Sequence, residues 1–216
     1  MILKVLPLAS CLLGYCLVNS AFADSHNHGH QHEQSEQAKL AATGIFDDKD
    51  VKDRSLSDWQ GNWQSIYHYL KNGDLESVLK DKAEKNNKSI EYYQDYYQKG
   101  YKTDLEIISI DGNSIAFFTK DNANQCEYKY AGYKILTYVS GKKGVRYLFE
   151  CTDKNSQAPK YVQFSDHIIE PTSSSHFHIY MGNDSQEVLL SEVENWPTFY
   201  PISLKKDDIV HDMLFH

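Results

Sequence analysis

Positive charge is scarce in this sequence. The 216 residues hold 22 Lys and Arg against 30 Asp and Glu, a net charge of −8. Nucleic-acid partners call for a basic face, so that class is set aside. Long apolar runs are also missing. Beyond residue 23 nothing approaches the roughly 18 apolar residues of a membrane-spanning helix. Cysteine is sparse, at four residues. There is no nucleophile elbow, no Gly-rich phosphate loop and no HExxH. What the chain has in quantity is aromatic surface, 13% of residues and 16 Tyr among them. Aromatic side chains sit well on a pleated sheet, and their number argues against disorder. A chain of this length makes one large domain able to bury its own core. Ten His are the count that points to chemistry.

Residues 1–23 read MILKVLPLASCLLGYCLVNSAFA, with one charge at Lys4, an apolar run and then Ala21-Phe22-Ala23. This is the pattern of a cleaved secretory signal peptide. Cleavage after Ala23 leaves 193 residues with 21 Lys and Arg against 30 acidic residues. Leu8-Ala9-Ser10-Cys11 also loosely fits a lipoprotein box, which would make Cys11 a lipidated terminus. Cys11 and Cys16 leave with the signal. Cys126 and Cys151 remain, an even pair that in an exported chain reads as a disulfide. Such a bridge closes a loop of about 25 residues, worth roughly 3–4 kcal/mol in the chain-entropy model. Two buried thiols are the other reading. In a simple meander the two cysteines lie on strands separated by a third.

Residues 24–37 (DSHNHGHQHEQSEQ) are polar and His-loaded and read as a mobile arm. A helical part follows, over about 38–100. Ser57 is an N-cap candidate before DWQGNWQSIYHYLKNG, where Trp59, Trp63, Ile66, Tyr67 and Leu70 recur at helical spacing and Gly73 ends the run. DLESVLKDKAEKN predicts a second helix. In SIEYYQDYYQKG, Tyr92 and Tyr96, then Tyr93 and Tyr97, stand at i, i+4 and read as a helix face packed on a core. From about residue 101 to 182 the period becomes two. LEIISI and SIAFFTK form a hairpin around Asp111-Gly112-Asn113. CEYKY and YKILTYV form a second around Ala131-Gly132, and VRYLFEC, KYVQFSDHII and HFHIYM follow. The short connections exclude crossover helices, so the sheet is antiparallel and predicts an up-and-down, calycin-like barrel. QEVLLSEVENW and LKKDDIVHDMLFH, within 185–216, read as helices around Pro197 and Pro201.

The sharpest constellation is His167, His176 and His178. His176 and His178 share one face of a strand, at i and i+2, roughly 7 Å apart at the backbone. Pro171 suits the second position of a turn over Glu170-Pro171-Thr172-Ser173. A hairpin centred there sets His167 directly opposite His176, with Cβ atoms about 5 Å apart on the same face. A shift of one residue would turn His167 to the other side. Three imidazoles on a strand framework are the ligand set of a Zn(II) site with one position open, and Cu(II) and Ni(II) also accept imidazole. Asp166 faces the other way. His26, His28, His30 and His32 form a second group, of the kind that binds divalent metal loosely. His68, His211 and His216 read as ordinary histidines.

At these residues the chain resembles the ZinT (YodA) family of periplasmic zinc-binding proteins. The likeness is carried by GIFDDKDVKDRSLSDWQGNWQS from Gly44, GYKILTYVSGKKGVRYLFEC at 132–151, APKYVQFSDHIIEPTSSSHFHIYMGNDSQ at 158–186 and ENWPTFYP at 194–201. The resemblance implies a ZinT calycin-like metal-binding domain over 38–216, with the zinc site on His167, His176 and His178. It implies that Cd(II) and other divalent ions also bind, that the protein lies in the periplasm, and that it recruits zinc under scarcity. It further implies handover to the solute-binding component of a zinc ABC importer, and a His-rich N-terminal segment. The leading expectation is a binding protein and not an enzyme. Two alternatives stand beside it. Three His and a metal-bound water also make a hydrolase or hydratase site, though Asp166 and Glu170 are badly placed as bases. A calycin barrel also can hold a small apolar ligand, unless Tyr and Phe side chains fill it.

Overall fold

The computed structural model describes residues 36–215. The signal segment, Cys11, Cys16, the histidines of the arm and His216 lie outside the described residues. Eight antiparallel strands close into a barrel in sequence order: β1 (Gly61–Ser65), β2 (Leu105–Asp111), β3 (Ser114–Thr119), β4 (Ala123–Thr137), β5 (Lys143–Cys151), β6 (Tyr161–Ser165), β7 (Phe177–Gly182) and β8 (Thr198–Pro201). Six helices accompany it: α1 (Glu36–Ala42), α2 (Tyr67–Lys71), α3 (Glu76–Asn86), α4 (Ile90–Gly100), α5 (Gln186–Ser191) and α6 (Lys206–Phe215). This is the antiparallel, calycin-like barrel with flanking helices that the alternation predicts. Among the described residues no helix is long and apolar enough to cross a membrane.

The expected helix over Asp58–Gly73 is instead three elements. Residues Leu56–Trp59 make a 3-10 turn, β1 follows, and only Tyr67–Lys71 is α-helical. The helical spacing is accidental, because the stripe serves two cores. Trp59 and Trp63 are buried in the barrel, whereas Ile66, Tyr67 and Leu70 are buried among helices. The barrel therefore begins inside the 38–100 segment. It also ends inside the 185–216 segment, where β8 pairs with β1 through Gln64↔Tyr200 and closes the sheet.

A second departure explains the cysteines. CEYKY and YKILTYV are not a hairpin but one long strand, β4. Its register against β5 shifts between Tyr130↔Phe149 and Tyr133↔Tyr147, so that Ala131 and Gly132 together oppose Leu148, one residue extra. Gly132 has φ +96 there, so this glycine makes a β-bulge and not a turn. With the intervening turn gone, Cys126 and Cys151 stand on adjacent strands. They form a disulfide with Cα atoms 5.8 Å apart.

Barrel and helices pack as two clusters that meet across one wall. The interior is filled by Trp59, Tyr147, Phe149, Phe164, Phe177 and Phe199, each no more than 1% exposed. The second cluster gathers Ile66, Leu70, Val78, Tyr101, Tyr200 and Ile209 outside the barrel. Alternation along β8 links them: Phe199 points in and Tyr200 points out to the helices. Ser89 caps α4, its hydroxyl accepting from the Tyr92 amide at 3.1 Å, as Ser does at a helix start.

Candidate metal centre

Phe177 and Ile179 of β7 are fully buried in the barrel. The residue between them, His178, must therefore face outward, toward the helical layer. His176 precedes β7 by one residue and shares that outward face. The β6–β7 pairing keeps the predicted centre, with Tyr161↔Gly182 at one end and Ser165↔His178 at the other. The ladder stops there. Residues 166–176 are a loop and not a tight turn, so His167 is not paired with His176 across a hairpin. It reaches the same place by another route, from a backbone at φ +63, which non-glycine residues seldom adopt.

Arg54 holds that loop. Its Nη1 donates to Asp166 Oδ1 at 2.6 Å, its Nη2 to the Thr172 carbonyl at 2.9 Å and its Nε to Asp58 Oδ2 at 2.7 Å. The Arg54 and Asp166 side chains are both 0% exposed. The guanidinium also lies 4.1 Å above the Trp59 ring. Burial disfavours its charge, but the Asp166 and Asp58 carboxylates outweigh burial and hold the pKa above its ordinary value. Asp58 fixes the far side of the loop, where its carbonyl accepts from the Ser174 amide at 2.8 Å. Asp166 thus faces away from the histidines, as its position predicts, and its neighbour His167 is delivered to the outer wall.

There the three imidazoles converge. One nitrogen from each lies within 4.8 Å of the others. Ring centroids are separated by 6.0 Å (His167–His176), 5.3 Å (His167–His178) and 5.9 Å (His176–His178). The two Nε2 atoms of His167 and His178 are 3.2 Å apart. Two nitrogens of one tetrahedral zinc, each at about 2.0–2.1 Å, are separated by roughly 3.3 Å, so the trio fits such an ion.

The surroundings set the imidazoles for that task. Thr198 Oγ1 donates its one hydrogen to the Trp196 carbonyl at 2.9 Å. It can then only accept from His178 Nδ1, 2.7 Å away. His178 is thereby the Nδ1–H tautomer, with its Nε2 lone pair turned to the centre, the arrangement in which a metal-binding His is held by its other nitrogen. His176 is 3% exposed and stacks on Tyr200 at 5.1 Å. Its Nδ1 lies 3.9 Å from Asp212 Oδ2 on α6, and that carboxylate accepts from Tyr200 Oη at 2.8 Å. Nothing in the spacing of the sequence links Arg54, Thr198 or Asp212 to the histidines.

In front of the trio is a cavity of about 270 Å³, walled by Tyr97, Tyr101, Trp196, Met213 and Lys82. Burial pushes the Tyr97 phenol up to about 12. It raises the Tyr101 and Tyr200 phenols as well. These phenols are neutral at physiological pH. His68 and His211 are exposed and lie elsewhere, against Tyr69 and Phe215.

Comparison with known proteins agrees with this geometry. The family model described as ZinT (YodA) periplasmic lipocalin-like zinc-recruitment matches residues 37–216. The "Probable metal-binding protein YrpE" of Bacillus subtilis (strain 168) is 46% identical over 182 residues, covering 84% of this chain and 72% of that protein. The "Zinc-binding lipoprotein AdcA" of Streptococcus pneumoniae (strain ATCC BAA-255 / R6) is 46% identical over 185 residues. This chain spans only 37% of AdcA's length. The crystal structure of the Zn(II)-bound ZinT-like domain of S. pneumoniae AdcA superimposes with a TM-score of 0.78 at 47% identity, covering 81% of this chain and 97% of that one. The crystal structure of Zn(II)-bound AdcA from S. pneumoniae gives a TM-score of 0.80 at 46% identity, over 85% of this chain and 40% of that one. A barrel wall carrying three converged imidazoles, in a sequence matched from residue 37 to its last residue, makes this chain a member of the ZinT (YodA) family.

Proposed function

We propose that this protein is a zinc-capture protein of the periplasm, exported by its N-terminal signal. In this reading it binds Zn(II) on His167, His176 and His178 and hands it to the solute-binding component of a zinc ABC importer. The observation that carries the proposal is the 3.2 Å approach of two imidazole Nε2 atoms, with the third ring completing a cluster within 4.8 Å. The names of the relatives, zinc-binding and metal-binding proteins, support a binding role over catalysis. Cd(II), Ni(II) and Cu(II) are further ions that the same three nitrogens would accept. His26, His28, His30 and His32 would gather metal loosely before the tight site is filled.

Zinc titration by calorimetry against a competing chelator tests the assignment. The mature chain should bind one ion tightly, and the chain with His167, His176 and His178 all changed to Ala should lose that site while it stays folded. Undiminished affinity in the triple variant would overturn the assignment. Deleting residues 24–33 should slow acquisition and leave the tight site in place.

A further inference from the structure

The segment between α5 and β8 has no regular structure, yet it is tied down along its length. At its start, Arg146 of β5 donates from Nη2 to the Glu192 carbonyl at 2.7 Å and from Nη1 to the Leu189 carbonyl at 3.1 Å. Arg146 is 1% exposed, and its guanidinium lies over the Tyr180 ring. The last carbonyls of a helix lack partners within it, so this guanidinium caps α5 and pins it to the barrel wall. The Glu192 carboxylate then folds the chain back, accepting from the Glu194 and Asn195 amides at 2.8 and 3.0 Å. At the far end the Pro197 carbonyl accepts from the Ile179 amide at 2.9 Å. Between these anchors the segment is tied to α4. Asn195 Nδ2 lies 3.0 Å from each of three carbonyls, those of Lys99, Gly100 and Lys102. The Trp196 amide donates to the same Gly100 carbonyl at 2.6 Å. One side-chain amide thus serves the carbonyls that the end of α4 leaves without helical partners.

We propose that Asn195 is a positioning residue of the metal site, acting on His178 through Trp196 and Thr198. The Trp196 carbonyl takes the Thr198 hydroxyl hydrogen at 2.9 Å. That bond leaves Thr198 Oγ1 as the acceptor for His178 Nδ1 at 2.7 Å. The direction of the Trp196 carbonyl therefore decides which nitrogen of His178 carries the proton and which turns its lone pair to the metal. Asn195 holds the Trp196 peptide against the end of α4, where the fit is close. A Cβ on Gly100 would come within 2.4 Å of the Trp196 ring. Without the Asn195 amide the end of α4 loses a shared donor, and the Trp196 peptide is free to turn. This rests on the zinc-capture reading above.

A double-mutant cycle on zinc affinity tests the route, measured on the mature chain by chelator competition with folding checked by circular dichroism. Asn195→Ala should weaken zinc about fivefold, less than the roughly 10–100-fold expected of a group bonded directly to a metal-binding His. In a Thr198→Val background, where the hydroxyl is absent, the same change should cost less than about twofold, because residues of one network do not add. Thr198→Ser keeps the hydroxyl and should bring the loss back. Loosened packing alone would lower affinity equally in all three backgrounds, and that result would overturn the proposal. Unchanged affinity in a folded Asn195→Ala chain would overturn it too. If the Ala variant does not fold, Asn195→Ser, which keeps one donor hydrogen, serves the same cycle with a smaller loss. Failure of both variants to fold would also count against it, since the amide would then serve the fold as a whole. Absence of tight zinc binding in the unaltered chain would overturn the capture reading, and this proposal with it.

Discussion

The barrel interior and the helical layer outside it are both built from aromatic side chains, yet one is sealed and the other leaves room. Inside, Trp59 stacks on Phe164 at 5.0 Å and Phe164 meets Phe177 edge-on at 5.1 Å. Outside, the rings are mostly tyrosines, and Tyr97, Tyr101 and Tyr200 border a cavity. Phe packs on all sides without a polar cost. A Tyr hydroxyl must find a partner, so a tyrosine-rich layer keeps its polar tips together and packs less completely. This is where many of the 16 Tyr are used. Fold stability should therefore reside in the first region and metal chemistry in the second. The filled interior also speaks against the reading of the barrel as a small-ligand calyx.

The strongest way to break that division is Arg54, which touches both regions. It lies over Trp59 at the edge of the core and clamps the loop that delivers His167. Arg54→Met leaves Asp166 as an uncompensated buried charge and should cost about 3–5 kcal/mol of unfolding free energy. Zinc affinity should fall with it. Urea unfolding and zinc titration on one preparation would check this, and a stable variant that binds zinc normally would mean that the loop is held from elsewhere. Phe117→Ala on β3, where the ring packs edge-on against Tyr128 at 6.2 Å, should also cost about 3–5 kcal/mol, through a cavity in the core. There the folded fraction should keep its zinc affinity within about twofold, since distant sites act independently.

Alkaline pH compares the regions without mutation. Burial raises the Tyr97 phenol to about 12 and raises Tyr147 inside the barrel as well. A raised pKa means that the folded chain holds the proton more firmly than the unfolded chain. The stabilisation is complete below about pH 10, the unfolded value, and is lost as pH rises through the folded values. Tyr97 alone accounts for roughly 2–3 kcal/mol on this basis. The last part of the phenolate absorbance rise, that of the buried rings, should coincide with unfolding. Ionisation of all tyrosines near pH 10 in a folded chain would contradict their burial.

How much of this was legible in the sequence follows the same division. Strands whose two faces differ were readable from alternation, as along β2 and β3. β1 was not, because helices cover its outer side and Trp63, Gln64 and Ser65 are buried in succession. β8 is only four residues long, with three buried in a row. Gly132 could mark a turn or a bulge, and only the pairing partner decides between them. The histidine trio could be found because His176 and His178 carry a parity and the β6–β7 register was centred correctly. The left-handed backbone at His167 and the Arg54–Asp166 pair, 112 residues apart, leave no local trace.

Thr198 separates the two regions at finer scale, since it lies on a barrel strand but acts on the outer wall. Thr198→Val keeps the shape and removes the acceptor for His178 Nδ1. Zinc affinity should drop about 10–100-fold, the usual effect of losing a group that orients a metal-binding His. Thr198→Ser should restore it. Equal affinity in the Val variant would mean that His178 is oriented by packing alone.

The smallest effect asks whether the helical layer behaves as one unit. Ser89→Ala removes the cap of α4 and should cost about 1 kcal/mol, read from urea unfolding. The cap is at the opposite end of the helix from Gly100, whose carbonyl accepts from the Trp196 amide at 2.6 Å. A Cβ added at Gly100 would come within 2.4 Å of the Trp196 ring, so that end is fixed by close packing and should not need the cap. Fraying should stay in the first turn, where Tyr92 is already 48% exposed, and zinc affinity should be unchanged. If affinity instead falls in step with stability, α4 moves as a whole, and the cavity depends on the full helix rather than on its packed end.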